Sequence, residues 1–414
     1  MKLTRKELTE LSRKEEIPLA ELCEDIKDGR IIVLKTPGKR TLAIGRNCFI
    51  KVNANLGTSP RQTSVKTELA KLQAAEKAGA DSVMDLSTGG NLPDIRRRII
   101  EESSLPVGSV PLYSAAVSVT RRCGDVRRMS EQFLWEKIEE EAAGGVSFVT
   151  VHTGVSERIV RGLQQGKRLI NIVSRGGSIL ACWMAANRKE NPLLADFDRL
   201  LKLALKYNLT LSLGDGLRPG AVHDGTDAFQ LEELFTLGSQ AEKAGRAGVP
   251  VMIEGPGHIP LHQVEMNISL AKRICHGAPL YLLGPLVTDV APGYDHIVGA
   301  IGGALAGLAG ADFLCYVTPA EHISLPTAAE VAEGVYASRI AGHAADLARG
   351  KKKALEWDRT FSIARRNRDW KKQQATALNP EKLAGVLKQG DDFCSMCGEF
   401  CALRFSESLG AAKK

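Results

Sequence analysis

Three cysteines near the C-terminal end, Cys394, Cys397 and Cys401, fall within the eight residues CSMCGEFC. Thiolates at this CX2CX3C spacing can converge on one metal centre. They are one short of the closed tetrahedral set of a structural zinc site. No other Cys or His lies within twenty residues on either side to supply the fourth ligand. Three thiolates on a 4Fe–4S cluster leave one iron open to an outside ligand. Such an iron can chelate the amino and carboxylate groups of S-adenosylmethionine. The reduced cluster then delivers an electron that splits the sulfonium to a 5′-deoxyadenosyl radical. The spacing favours the cluster over zinc.

Other stretches carry groups of a different kind. EGPGHIP places Glu254 and His258 four residues apart, and TPAEHISLP supplies His322. Two histidines with an acid nearby could hold a divalent ion such as zinc and leave positions open for a ligand. Equally, each could be a hydrogen-bonded loop residue. VSRGGS (173–178) and GDGLRPG (214–220) each combine glycines with an arginine. Glycines let backbone N–H groups approach an anion, and a guanidinium can grip phosphate or carboxylate with two donors. Either stretch alone could be a structural turn. Together they suggest a phosphorylated or carboxylated small substrate.

These groups need a frame. From about residue 49, short apolar runs alternate with amphipathic stretches of helical length. The runs are FIKVNANLG, DSVMDLSTGG, GSVPLYS, FVTVHTG, LINIVSRGG, LTLSLGDGLRPG, VPVMIEGPGH, LYLLGP and DFLCYVTP. Repeated βα units predict a parallel sheet buried on both faces. Over roughly 300 residues, closure into a (β/α)8 TIM-type barrel is the expected solution. Nine runs are one more than such a barrel needs, so one is expected to be a short loop strand. Unusual, mostly polar residues end run after run: Asn53 and Asn55, Met84 and Asp85, Tyr113, His152, Ser174 and Arg175, Asp215 and Arg218, Glu254 and His258. A single polar residue after a strand is usually a turn. A succession of them, on strand ends that converge at one mouth, predicts a catalytic site.

Residues 1–48 read as a small helical cap, 49–350 as the barrel, and 351–414 as a charged helical extension bearing the cysteines. A net charge of +7 with scattered basic residues argues for an anionic small molecule and against nucleic acid. The N-terminus lacks an apolar signal core, and the apolar run 297–311 is too short and too rich in Gly and Ala to span a bilayer. The other six cysteines are isolated, which argues against a disulfide framework. A cytoplasmic protein with no membrane or nucleic-acid partner is expected.

The motifs KVNANLGTS, VMDLSTGG, VPLY, NIVSRGGS, SLGDGLRPG, MIEGPGH, LGPLVTDVAPGYDH, LCYVTPAEH and CSMCG together resemble the thiamin pyrimidine synthases (ThiC) and their close relatives. The resemblance runs over nearly the whole chain from about residue 41. It implies an atypical radical-SAM enzyme acting on 5-aminoimidazole ribotide, with a one-electron donor such as flavodoxin or ferredoxin. The common radical-SAM order is CX3CX2C, whereas this motif runs CX2CX3C. Carried over by motif, the implied substrate contacts are Asn55, Met84, Tyr113, His152, Ser174, Arg175, Gly176, Asp215, Gly216, Leu217, Arg218, Glu254 and Tyr281. His258 and His322 would hold zinc or a similar divalent ion that helps bind S-adenosylmethionine. Cys394, Cys397 and Cys401 would hold the 4Fe–4S cluster and, with Glu254, form the catalytic set. A homodimer is also implied, with a mobile cysteine segment that closes over an active site.

Two activities share this scaffold and substrate. ThiC makes the hydroxymethylpyrimidine phosphate of thiamin, and an anaerobic paralogue makes 5-hydroxybenzimidazole for the lower ligand of cobamides. The opening MKLTRKELTELSRKEE, the segment IVLKTPGKR, Ser114 after the substrate tyrosine and Thr153 in HTG all depart from the pattern of an ordinary ThiC. Ser114 and Thr153 are expected beside substrate contacts, where a change of polarity could redirect a radical. On that ground 5-hydroxybenzimidazole synthase is the preferred expectation and ThiC the alternative. A non-catalytic metal-binding barrel is a remote third.

Overall fold

The computed structural model describes residues 3–166, 168–384 and 396–410. Among them are ten strands: β1 (Ile31–Leu34), β2 (Leu42–Gly45), β3 (Lys51–Leu56), β4 (Ser82–Asp85), β5 (Val107–Ser109), β6 (Phe148–Val151), β7 (Thr210–Leu213), β8 (Val251–Glu254), β9 (Leu280–Leu283) and β10 (Phe313–Cys315). Strands β3 to β10 are parallel and close in sequence order, with Leu314 of β10 opposite Val52 of β3. This is a (β/α)8 barrel. Its strands are buried along almost their whole length, because helices cover the outside and side chains fill the interior. The covering helices start where the sequence offers a side-chain acceptor: Ser64, Ser130, Ser156 and Asp227 each take a backbone N–H of the first turn.

Of the nine apolar runs, LINIVSRGG is the one that is not a strand. The carboxylate of Asp224 takes the N–H groups of Leu169 and Ile170 at 2.8 and 2.9 Å. The Arg168 guanidinium donates to Asp227 at 2.6 Å and to the carbonyls of Leu217 (2.6 Å) and Asn171 (3.0 Å). With its backbone donors taken by a side chain, this segment has no ladder to join, and Leu169 is left 69% exposed. In GSVPLYS the strand stops at Ser109. Pro111 opens the helix Pro111–Cys123, which puts Tyr113 in its first turn.

The N-terminal helices Arg5–Glu15 and Leu19–Lys27 are joined by an antiparallel hairpin, β1–β2. Side chains alternate across a strand. Ile31, Val33 and Ala43 therefore pack with Leu11, Ile17 and Leu22 in one cluster, while Ile32, Leu34, Leu42 and Ile44 belong to the main core of the barrel. At the start of β3, Lys51 donates to Glu15 at 2.7 Å, and Glu15 also accepts the Phe49 N–H at 2.9 Å. This end is the floor of the barrel.

Residues Met1–Asp346 form one compact unit and Leu347–Lys414 a second. The second unit contains the helices Lys352–Arg366, Trp370–Thr376 and Ala402–Gly410, and the Trp357 indole donates to the Thr376 carbonyl at 2.6 Å. Among the described residues no helix is long and apolar enough to cross a membrane.

Candidate active site

The C-terminal ends of the barrel strands enclose a cavity of about 80 Å³. Asn55, Met84, Tyr113, His152, Asp215, Arg218, Glu254 and Tyr281 all line it, joined by Thr150 and Cys315. Period-two alternation explains why these positions meet: Asn53 and Asn55 lie on one face of β3, and Thr150 lies two residues before His152. The Asn53 amide donates to the Tyr281 hydroxyl at 2.8 Å and accepts the Ser82 hydroxyl at 2.7 Å. The Asn55 amide donates to the Cys315 sulfur at 3.0 Å. Burial pushes the Cys315 thiol up to about 12, so it faces the cavity as a neutral S–H.

The charges at this mouth are only partly matched. Arg218 donates to Asp215 at 2.8 Å. Glu254 has no such cation and instead accepts the hydroxyls of Thr150 (2.7 Å) and Ser212 (2.5 Å) on the same oxygen. Burial, and then the Asp215 charge, raise its carboxyl to about 7, so it can both hold and release a proton near neutral pH. His152 is 2% exposed, and burial with the nearby Arg218 charge lowers it to about 3, which keeps the imidazole neutral. Its carbonyl is fixed by the Asn191 amide at 2.8 Å, while its Nδ1 is buried without a hydrogen-bond partner among the described residues. The ring itself lines the cavity, while this nitrogen lies against Gly176.

The stretch SRGGS is a helix start. Ser174 caps the helix Arg175–Asn187, its hydroxyl accepting the Gly177 N–H at 3.2 Å. A Cβ at Gly176 would lie 2.1 Å from the His152 ring, so only glycine lets helix and imidazole approach this closely. The Arg175 guanidinium stands 4.9 Å from the Tyr113 ring centroid. It also lines a second cavity, of about 230 Å³, with His322, Glu321, Tyr316 and Lys71. Asn55 and Leu86 border both cavities, so two ligands could lie side by side. Gly216 and Leu217 enter through backbone: the turn 215–218 is held by the Leu217 N–H, which donates to Glu233 at 2.7 Å.

His258 and His322 come together with ring centroids 5.2 Å apart. Each Nδ1 is engaged by a carboxylate, Asp289 at 2.7 Å and Asp295 at 3.2 Å. That leaves each Nε2 as the nitrogen that could ligate an ion, with an outer carboxylate orienting the imidazole. Among the described residues no three His, Cys, Asp or Glu side chains form a ready-made metal site. The pair therefore fits an ion with open positions. Cys397 and Cys401 are unpaired thiols at the two ends of the turn Gly398–Phe400, and Cys394 lies outside the described residues.

Compared with known proteins, the chain matches the family described as the radical SAM ThiC family over residues 2–408. The chain belongs to the radical SAM ThiC family. The phosphomethylpyrimidine synthase of Moorella thermoacetica is 51% identical over 411 residues, covering 97% of this chain and 95% of the relative. That of Caldanaerobacter subterraneus is 52% identical over 397 residues, covering 94% and 92%. Among solved structures, a dihydropteroate synthase from Yersinia pestis covers 77% of this chain and 99% of its own, at 13% identity and a TM-score of 0.44. Membership of the radical SAM ThiC family makes this chain a radical-SAM enzyme that requires an iron–sulfur cluster, S-adenosylmethionine and a reductant.

Within this ThiC-family site, Ser114 and Thr153 do not stand where the sequence reading put them. Ser114 is 5% exposed and accepts from Arg96 at 2.7 Å; Arg96 in turn bonds Glu141 at 2.8 Å. Thr153, fully buried, donates to Gln240 at 2.5 Å. Neither lines the cavity. Their neighbours Tyr113 and His152 face inward, so these two side chains turn outward into the wall between barrel and helices.

Thr150, Ser212, Asp289, Asp295 and Glu233 are not singled out by the sequence. Thr150 and Ser212 were open to inference, since each shares a strand face with the cavity. Asp289 immediately precedes VAPGYDH and Asp295 lies within it, without any local signal of their partners.

Proposed function

We propose that this chain is a phosphomethylpyrimidine synthase, converting 5-aminoimidazole ribotide to 4-amino-5-hydroxymethyl-2-methylpyrimidine phosphate for thiamin. The observation that carries this reading is the run of relatives so named, about half identical over almost the full length of both chains. The benzimidazole expectation drew on the divergent opening and the IVLKTPGKR segment as well as on Ser114 and Thr153, and the last two side chains point away from the cavity. It loses its residue-level support.

The proposed roles follow from the geometry. The ribotide occupies the 80 Å³ cavity, extended by movement of its rim. Its phosphate meets the Arg175 guanidinium and the N–H groups at the start of the helix Arg175–Asn187. Neutral His152 lines the ribotide's cavity, and Glu254 exchanges protons as the ring atoms rearrange. S-adenosylmethionine takes the neighbouring 230 Å³ cavity, with a divalent ion such as zinc on His258 and His322 at its edge. Cys394, Cys397 and Cys401 would hold the 4Fe–4S cluster, which when bound and reduced supplies the electron for sulfonium cleavage. A homodimer accords with the resemblance.

Anaerobic reconstitution with ribotide, S-adenosylmethionine and a strong reductant tests the reading, with product identified by mass. The phosphorylated pyrimidine is expected. Benzimidazole alone would overturn it.

A further inference from the structure

Glu233 is a buried acid that none of these roles uses. It sits on the helix Ala228–Ala247, 2% exposed. Room for it is set aside in the packing: a Cβ at Gly154 would lie 2.5 Å from Glu233 Cγ. Its Oε2 accepts the Leu217 N–H at 2.7 Å and so fixes the turn that carries Asp215 and Arg218. Its Oε1 is buried and has no hydrogen-bond partner among the described residues. A cavity of about 20 Å³ runs from Glu233 to the mouth, bordered also by Gln230, Asn267, Asp215, Arg218 and Glu254. That volume suits one water, which needs two to four polar partners.

The charged groups facing Glu233 are Asp215, Arg168, Glu254 and Arg218. Arg168 is committed to Asp227 and the Leu217 carbonyl, and Arg218 to Asp215. Neither guanidinium bonds Glu233. A buried carboxylate without a close cation is costly, and the neutral acid is the stable form. Burial first, and the Asp215 charge second, push the carboxyl well above its ordinary range, outweighing the Leu217 and Gly216 N–H groups and Arg168.

We propose that Glu233 is a positioning acid for the reaction: Oε2 fixes the Asp215–Arg218 turn, and Oε1, carrying the proton, donates to a water that in turn donates to Glu254. The donation stabilises ionised Glu254 and so sets the pH at which that residue can exchange protons. This rests on the mouth being the substrate site, but not on which product forms there.

The test uses the full chain with Glu233→Gln and Glu233→Met. Glutamine keeps an acceptor for Leu217 and a neutral donor toward the water, whereas methionine keeps only the volume. Difference infrared spectra, which need no turnover, are expected to lose one protonated-carboxyl band at neutral pH in both variants. In the Met variant the Glu254 titration midpoint is expected to rise by about one unit, and kcat in the reconstituted enzyme to fall about tenfold. The Gln variant is expected to stay within about twofold of wild type in kcat, because its amide replaces the donated hydrogen bond. Loss of no carboxyl band, or an unmoved Glu254 midpoint in the Met variant, overturns the proposal. So does a folded Gln variant as slow as Met. The infrared arm fails or succeeds independently of the pyrimidine assignment.

Discussion

At the floor of the barrel buried charge is paired, whereas at the mouth it is left partly unmatched. Lys51 and Glu15 have side chains 3% and 0% exposed and meet at 2.7 Å. Burial is the largest influence on the Lys51 ammonium and alone would pull it down, but the Glu15 charge and hydrogen bond, with the Cys48 and Asp81 charges, together outweigh it and the ammonium ends raised. At the mouth Asp215, Glu233 and Glu254 share a neighbourhood in which Arg218 is bonded to Asp215 alone. All three carboxyls are pushed upward, burial being the first cause in each. The same barrel thus solves desolvation by pairing at one end and, for Glu233 and Glu254, by favouring the protonated form at the other. A group held protonated near neutral pH can exchange its proton, and one locked in an ion pair cannot.

Breaking the pair at the floor should have the largest effect. Glu15→Ala leaves a buried ammonium without its carboxylate and is expected to cost about 3–5 kcal/mol of stability. Denaturant unfolding measures it. Product formation per folded molecule should be unchanged, which separates floor from mouth.

At the mouth the sign reverses. The Glu254 carboxyl is raised from 4.5 to about 7, so its contribution to stability is full below pH 4.5 and is lost as pH rises through 7. By linkage the loss is about 3 kcal/mol. Glu254→Gln keeps an acceptor for Thr150 and Ser212 but cannot ionise. It is expected to flatten this pH dependence and to be more stable than wild type at pH 8, while losing turnover. Stability curves that stay parallel from pH 4 to 8 would contradict the unmatched-mouth picture.

The smallest effect belongs to the wall between the two ends. Ser114→Ala removes one hydrogen bond to Arg96 and is expected to cost about 1 kcal/mol. The product should not change. A switch of product in that variant would restore Ser114 to the substrate site.

Much of this was open to the sequence. Seven apolar runs, six of them barrel strands, end in residues that a shared mouth explains, and eight of the residues named from motifs line one cavity. What the sequence hid was direction and distant partnership. Ser114 and Tyr113 are neighbours on a helix, where adjacent side chains point about 100° apart, so one faces the cavity and the other the wall. Glu254 finds its hydroxyl donors 104 and 42 residues away. LINIV has the composition of a strand, and it is Asp224, more than fifty residues on, that takes its N–H groups. Residue types announce chemistry, but the pairing that tunes it is long-range.

The β1–β2 hairpin has a mechanical consequence. Its odd and even residues are buried in two different clusters, one with the N-terminal helices and one with the barrel. Separating the N-terminal segment would expose Ile32, Leu34, Leu42 and Ile44 from the barrel core at the same moment. The hairpin works as a rivet: the first 48 residues and the barrel are bound to melt in a single transition.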